Sequence, residues 1–394
     1  MLNNKFSKAL VYFMVLVIGC VVGFGGWTYF KLPTTDILTV TEDVYYSNGD
    51  GVYEADSTIS IESANISVHF LELGNKYTGD CTYIKTKDAD ILIDCGSKSN
   101  SISTVSSYLN NYVTDNTLEY VIVTHAHQDH YAGFATTTKI DSIFDLYKCE
   151  NIIDFGKSCN QKSTATVYNN YLRERNAEID AGANYFTAID CAKNQNGASS
   201  EFVIDDENNI KFKVLYNYYN EYNRDDASTV SYKAGSENDY SVCLLFTYGD
   251  QNFLFTGDLE HEGEELLIQN NTIPEIDLYK AGHHGSKTSS TKDFIDAIKP
   301  KTVCVCCCAG SSEYTSNPLN QFPTQEFINN VSPYAENIYV TSLCIDYDND
   351  EFTSFNGNIV YMVSSSGYNT KCTNNNIDLR ESEWFKQNRT LPSN

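Results

Sequence analysis

Hydrophobic and polar positions divide the chain into stretches of different character. Residues 9–30 are uncharged and mostly apolar, long enough to cross a hydrocarbon core of about 30 Å as one helix. Residues 31 to about 60 are polar, rich in Asp, Thr and Ser, and read as a tether. Periodic structure follows. Ile66–Leu73 predicts a strand, and Thr82–Lys85 with Ile91–Asp94 a hairpin around Lys87-Asp88-Ala89-Asp90. Ser101–Tyr112 predicts a helix and Tyr120–Thr124 a short buried strand. Residues 157–240 are polar and irregular and read as an insertion. Regularity returns with Ser241–Thr247 and Asn252–Thr256 on either side of Tyr248-Gly249-Asp250-Gln251, a hairpin signal. Helices over Glu260–Gln269 and Thr291–Ile298 alternate with strands at Ile276–Tyr279, Thr302–Cys308 and Ile338–Thr341. Gly357–Ser364 predicts the last strand, and 368–394 a tail on which Trp384 and Phe385 are the apolar docking groups. Strands with interspersed helices, twice over, predict an α/β fold of two sheets with helices outside.

Composition narrows this picture. The formal net charge of −25 repels nucleic acid, whose phosphate backbone is bound by Lys and Arg. A polyanionic substrate would need a local positive site, which bound metal supplies. Lys5 and Lys8 precede the apolar run, while Asp36, Glu42 and Asp43 follow it. That asymmetry predicts residues 1–35 as a membrane anchor with a short cytoplasmic tail and an extracellular domain beyond it. A cleaved signal peptide, or lipoprotein processing at Val17-Ile18-Gly19-Cys20, are the alternatives, and all three export the domain. Of thirteen cysteines, Cys304, Cys306, Cys307 and Cys308 crowd one apolar run. They read as a buried strand, because a four-thiolate zinc site draws paired cysteines from two loops.

The chemistry concentrates in few residues. Three of only seven histidines fall in His125-Ala126-His127-Gln128-Asp129-His130, directly after the apolar strand 120–124. The carboxyl end of a buried strand is where α/β proteins place ligands, and imidazole with carboxylate is a donor set for zinc, iron or manganese. His283 and His284 are adjacent and follow another apolar strand, and Asp258 ends Phe255-Thr256-Gly257-Asp258 between the clusters. A carboxylate so placed can bridge two ions, which together activate water and stabilise both attacking and leaving oxygens. The remaining residues have plainer readings. His69 is structural in its strand, His261 caps a helix, and Asp205-Asp206-Glu207 is a solvated turn. Asp346, Asp348, Asp350 and Glu351 form an acidic loop that lacks the glycine of a calcium-binding EF-hand.

His125-x-His127-x-Asp129-His130 resembles the signature of the metallo-β-lactamase superfamily. Gly79-Asp80-Cys81, Ile91-Leu92-Ile93-Asp94-Cys95-Gly96, Phe255-Thr256-Gly257-Asp258 and His283-His284-Gly285-Ser286 resemble, in order, the soluble domain of ComEC-type DNA-uptake proteins and their stand-alone relatives. The resemblance spans about 61–367 and implies an αββα sandwich with metal at one edge of the sheets. It implies His125 and His127 as ligands of one ion. Asp129, His130 and one of His283 or His284 are implied for the other, with Asp258 bridging. Spacing does not decide between the two histidines. The similarity to surface phosphorylcholine esterases of the same superfamily favours His284 as ligand and leaves His283 to contact phosphate or act as an acid. Asp129 would orient or deprotonate the attacking water. Asp94 resembles the group that orients a ligand histidine from behind, and Thr256 and Ser286 line the site.

Two departures qualify the resemblance. No histidine lies between His130 and His261, and Phe322 precedes Pro323 where such domains often carry a histidine. One or two divalent ions, zinc with manganese as the alternative, are therefore expected. The implied function is phosphoester hydrolysis, on extracellular nucleic acid or on a phosphorylated surface polymer. Hydrolysis of a carbon ester, lactone or β-lactam, and a degenerate binding domain without catalysis, are the competing readings. A full uptake channel needs many membrane spans, and the sequence offers one.

Overall fold

A computed structural model describes residues 55–392 except 136, 138–140, 157, 159–165 and 224–235. The expected membrane segment at 9–30 lies outside the described residues. Among the described residues, no helix is long and apolar enough to cross a membrane.

The first half of the chain contributes β1 (Ile66–Phe70), β2 (Thr82–Thr86), β3 (Asp90–Ile93), α1 (Ile102–Leu109), β4 (Thr117–Val123), α2 (Gln128–Tyr131), α3 (Ile143–Leu146) and β5 (Lys148–Asp154). Next come α4 (Thr166–Asp180), β6 (Asn184–Thr187), α5 (Ala188–Ala192), β7 (Glu201–Asp205) and β8 (Ile210–Val214). The second half adds β9 (Leu244–Tyr248), β10 (Gln251–Phe255), α6 (His261–Asn270), β11 (Leu278–Lys280), α7 (Lys292–Ile298) and β12 (Thr302–Ala309). It closes with α8 (Gln325–Val331), β13 (Asn337–Asp346), β14 (Glu351–Ser354), β15 (Ile359–Ser364), β16 (Gly367–Cys372) and α9 (Glu383–Asn388). Two eight-stranded sheets result, ordered β16-β15-β1-β2-β3-β4-β5-β6 and β14-β13-β12-β11-β10-β9-β8-β7.

The sheets face each other across one apolar core. Phe70 of β1 and Phe255 of β10 stack with ring centres 6.2 Å apart, and the Tyr361 hydroxyl of β15 donates to Gln251 Oε1 at the start of β10. Val105 and Leu109 of α1 join this core. On the far side of the second sheet, Leu267 of α6, Phe294, Ile295 and Ile298 of α7, and Phe327, Ile328 and Val331 of α8 form a second core with Val303 and Val305 of β12. Each fully buried side chain of this size contributes roughly 1.5–3 kcal/mol relative to exposure. The fold is an α/β sandwich of two eight-stranded sheets with helices outside.

Within 157–240, the described residues are woven into the sheets: β6 completes the first, and β7 and β8 extend the second. β6 and β7 are edge strands and β8 lies between β7 and β9; all three are partly exposed, so the apolar signal along them is weak. Asp205, expected in a solvated turn, is buried and accepts bonds from Asn208. In the C-terminal stretch, β16 pairs along β15, and Leu379 and the expected docking residue Phe385 are buried. At the other end, Ala55 bridges to Tyr368 and Ile59 is buried, so the domain begins before 61. Two other plain readings, for His69 and for the cysteine run, hold in the structure. His69 is fully buried between Tyr108 and Ser67, and burial pushes its pKa down to about 3. Cys304 and Cys306–Cys308 are buried along β12, and none of the described cysteines is in a disulfide.

Candidate metal centre

Parallel pairing of β3, β4 and β5 in one sheet, and of β10, β11 and β12 in the other, brings their carboxyl ends to one edge of the sandwich. The segments that leave those ends hold the candidate residues. Asp94 follows β3, His125, His127, Asp129 and His130 follow β4, Asp258 follows β10, and His283 and His284 follow β11. The Val242 N–H donates to the Thr124 carbonyl at 2.9 Å, which joins the two sheets at this edge. Gly96 lets the turn after Asp94 pack on the next segment, because a Cβ there would overlap the Asp129 carbonyl.

Asp258 is the centre of the arrangement. Its Oδ2 lies 3.2 Å from His130 Nε2, 3.3 Å from His284 Nε2, 3.9 Å from His283 Nε2 and 4.0 Å from His125 Nε2. Asp129 Oδ2 is 3.5 Å from His284 Nε2. His125 Nε2 is also 3.0 Å from His127 Nδ1. Each central imidazole is held from behind. His130 Nδ1 donates to Asp94 Oδ2 at 2.7 Å, and Asp94 also accepts from the Thr124 N–H and hydroxyl, both at 2.7 Å. His284 Nδ1 donates to the Cys306 carbonyl at 2.9 Å. Their Nε2 atoms are buried with no hydrogen-bond partner, as is Asp258 Oδ1. A polar atom so placed is costly unless something fills the gap between the group, and nitrogen with carboxylate oxygen suits a divalent transition metal. The residues present fit such an ion, with His130, His284, Asp258 and Asp129 around one position and His125 and His127 beside it.

The electrostatics agree with that fit. Burial disfavours charge at Asp258, but the neighbouring His130, His284 and His283 outweigh it and hold the carboxyl well below its usual range. Burial is likewise outweighed at His130 and His284 by Asp258, with Asp94 and Asp80 contributing respectively. The metal-free centre is thus a cluster of opposite charges that a cation can enter by displacing protons.

His283 and His284 have different surroundings. The His284 side chain is 1% exposed, whereas that of His283 is 22% exposed. His283 Nδ1 faces Glu260 Oε1 at 3.3 Å and Thr288 Oγ1 at 3.1 Å, and the Thr288 hydroxyl donates to Glu260 at 2.8 Å. His284 thus presents a buried ligand atom, and His283 an oriented ring at the open side. Thr256 is buried, and the Ser286 hydroxyl shares a 3.0 Å hydrogen bond with that of Thr288 in its own loop.

Two residues carried no chemical reading in the sequence. Asp80, with His130, Asp258 and His284, forms a buried group whose ligand-type atoms lie within 4.8 Å of one another. Yet Asp80 approaches the Nδ1 side of both rings, at 3.3 Å from His284 and 3.7 Å from His130. Its other partner is the ammonium of Lys280, an ion pair that also places Lys280 Nζ 3.7 Å from Asp258 Oδ1. Asp80 therefore supports the ligand histidines from behind. A lysine closing the apolar strand β11, three residues before the histidine pair, was the available signal.

The open side is walled by the segment after β12. The Tyr314 hydroxyl donates to Asp129 Oδ2 at 3.0 Å. The Phe322 ring lies 5.5 Å from that of Tyr314, 5.7 Å from His283 and 6.0 Å from His284. The C-terminal segment braces this wall. Buried Arg389 donates to the carbonyls of Pro323, Gln321 and Asn388 at 2.7–2.8 Å.

Sequence comparison adds independent findings. Residues 74–140 and 230–309 match the family profile described as the metallo-beta-lactamase superfamily. Over 72 residues, 18% of this chain, it is 42% identical to ComE operon protein 3 of Bacillus subtilis (strain 168). Over 65 residues it is 34% identical to Recombination protein 2 of Haemophilus influenzae, which is 16% of this chain. The matched stretches span only 9% and 8% of those relatives' lengths. Among solved structures, the metallo-beta-lactamase fold protein YhfI from Bacillus subtilis aligns over 70% of this chain and 95% of its own, at 10% identity and a TM-score of 0.37. The profile match includes every candidate ligand, and over part of its length the chain is similar to the metallo-β-lactamase superfamily and to ComEC-like proteins.

Proposed function

We propose that this chain is a phosphoester hydrolase. The observation that carries the reading is the convergence of His130 Nε2 and His284 Nε2 on Asp258 Oδ2, at 3.2 and 3.3 Å, with Asp129 and His283 on the exposed side. His125, His127, Asp129, His130, Asp258 and His284 would hold one or two divalent ions, zinc or manganese. Such an ion supplies Lewis acidity and makes water acidic enough to react near neutral pH. Asp129, ionised because His284 and His130 outweigh its burial, accepts the proton of the attacking water. His283, oriented by Glu260 and reachable from solvent, contacts the phosphoryl group or gives a proton to the leaving oxygen. Asp94, Asp80 and the Cys306 carbonyl keep the ligand rings in place. We further read residues 9–30 as an anchor that carries the domain outside the membrane, a reading supported by their uncharged apolar run. Protease accessibility of the domain on intact cells tests that location.

The test of function is turnover of bis(p-nitrophenyl) phosphate and p-nitrophenyl phosphate by the purified chain with zinc or manganese, alongside Asp258→Ala. Turnover lost in that folded variant supports the reading. No turnover of either ester at any metal loading overturns it, and turnover of a chromogenic β-lactam in their place assigns the carbon-ester alternative.

A further inference from the structure

The turn Glu237–Tyr240 leads into β9 and carries Asn238. It is tied to both halves of the centre. The Asn238 carbonyl accepts the Ser241 N–H at 3.0 Å, and the Ser241 hydroxyl accepts the Asp258 N–H at 3.0 Å. The next residue, Val242, bonds the Thr124 carbonyl just before His125. The packing is close: a Cβ at Gly257 would lie 2.7 Å from Ser241 Oγ and 2.9 Å from Thr124 Cβ. Two side chains of the turn mark its course. Burial raises the Glu237 pKa to about 7, against the Ser158 hydroxyl and the nearby His127. Asn238 Nδ2 lies 3.5 Å from His283 Nδ1 and donates to Glu260 Oε1 at 3.3 Å. The turn therefore runs past the site from the His127 side to the His283 side.

The Glu260 bond fixes which way the Asn238 amide faces, because the reverse setting would press an amide oxygen against a carboxylate oxygen. Asn238 Oδ1 is then left buried with no hydrogen-bond partner among the described residues, in a residue only 4% exposed. It shares that condition with His130 Nε2, His284 Nε2 and Asp258 Oδ1, the atoms that converge on the metal position. A buried acceptor without a donor calls for an explanation, and an ion is one.

We propose that Asn238 Oδ1 is a metal-binding oxygen of this centre, the further donor to the ion held by His125 and His127. That position is the poorer of the two: it has two imidazoles and shares Asp258, whereas its neighbour has His130, His284 and Asp129 besides. The proposal rests on the metal-centre reading and is independent of which ester is cleaved. An amide carbonyl is a hard oxygen donor of the kind that suits manganese, magnesium or calcium, whereas imidazole suits zinc. The position with Asn238 therefore leans towards manganese more than it would with a third nitrogen.

Manganese on the full chain can be counted by elemental analysis and observed by electron paramagnetic resonance without turnover. The wild type is expected to bind two manganese ions and to show the exchange-coupled signal of a neighbouring pair. Asn238→Ala should show the signal of isolated manganese and bind the second ion at least about ten-fold more weakly. Asn238→His keeps a donor and changes its class. It should retain both sites and raise zinc affinity relative to manganese by about ten-fold or more, and it decides the question if the alanine variant does not fold. One ion per chain in the wild type, an unchanged pair in Asn238→Ala, or an unchanged zinc-to-manganese ratio in Asn238→His overturns the proposal. The hydrolase reading fails separately, through absence of turnover on the generic esters in protein that has bound its metal.

Discussion

Asp94 holds His130 through a 2.7 Å hydrogen bond that His130 Nδ1 donates to Asp94 Oδ2, with the Asp94 backbone in the left-handed region at φ 57°. The same carboxylate takes the Thr124 N–H and hydroxyl, so it cannot swing away without breaking the junction between β4 and the histidine segment. That bond sets the tautomer and aims Nε2 at Asp258. Asp94→Ala should keep the fold and lower metal affinity by about 10–100-fold. Competition with a chelator, read by elemental analysis, checks it; unchanged affinity would remove Asp94 from the centre.

The two adjacent histidines should separate cleanly. His284 is buried with Nδ1 engaged by a carbonyl, and His283 is partly exposed with Nδ1 on Glu260. His284→Ala is expected to lose bound metal together with activity. His283→Ala is expected to retain metal content while turnover falls by about 10²–10⁴, the usual contribution of a positioned proton donor. Metal content and rate measured on the same preparations decide it. Loss of metal in both variants would make His283 a ligand.

Much of this architecture is legible along the chain, and the reasons for the gaps are physical. Buried strands such as 120–124 and 302–308 announce themselves as continuous apolar runs, and the helices that cover the second sheet show their apolar stripes. β7, at the sheet edge, and β8 beside it carry charged residues, Glu201, Lys211 and Lys213, between apolar neighbours, so their segment reads as polar and irregular. β16 is hidden for the same reason. At the site, His125, His130 and Asp258 stand out by residue type and position. Asp80 and Lys280 do not, because their role exists only once two sheets bring them together. No spacing rule links residues 200 apart.

Arg389 lies far along the chain from every ligand yet braces the wall over the centre. It is buried, and its guanidinium serves three backbone carbonyls. Trp384 sits over its guanidinium, 5.0 Å away, and packs where a Cβ at Gly310 would collide. Arg389→Ala leaves those carbonyls without their donor and should cost about 2–4 kcal/mol. A fall in thermal midpoint accompanied by weaker substrate binding is expected. A stable variant with unchanged KM would show that the brace has no bearing on the wall.

Asp239 supplies a pH dependence apart from the ligands. Burial, reinforced by Glu260, Glu262 and Glu264, raises its pKa to about 7, while the Glu260 N–H partly opposes the shift. The folded state therefore binds a proton more tightly than the unfolded state. That contribution is fully present below the unfolded value near 4 and is lost as pH rises through about 7. Asp239→Asn keeps an acceptor for the Glu260 N–H and removes the charge. Its unfolding midpoint should decline less than that of the wild type between pH 4 and 8, and should be the higher of the two at pH 8. Parallel curves for the two proteins would show that Asp239 is not strained by charge.

Lys280 is the cation already built into the centre. Its ammonium is 3% exposed, pairs with Asp80 and lies 3.7 Å from Asp258 Oδ1 and 3.5 Å from the Gly257 carbonyl. Burial opposes its charge, but Asp80 and Asp258 prevail and push its pKa up. Without it, two buried carboxylates would face each other beneath the histidines with only the imidazoles to balance them. Removing one partner of a buried pair typically costs about 3–5 kcal/mol. Lys280→Met should lower the unfolding free energy by that amount in metal-free protein. Added zinc should restore part of the loss, because a divalent ion supplies positive charge to Asp258. Urea titrations with and without zinc measure both effects. A metal-free variant as stable as the wild type would mean that Asp80 is neutral in the folded state, and that the ion pair read from the geometry does not form.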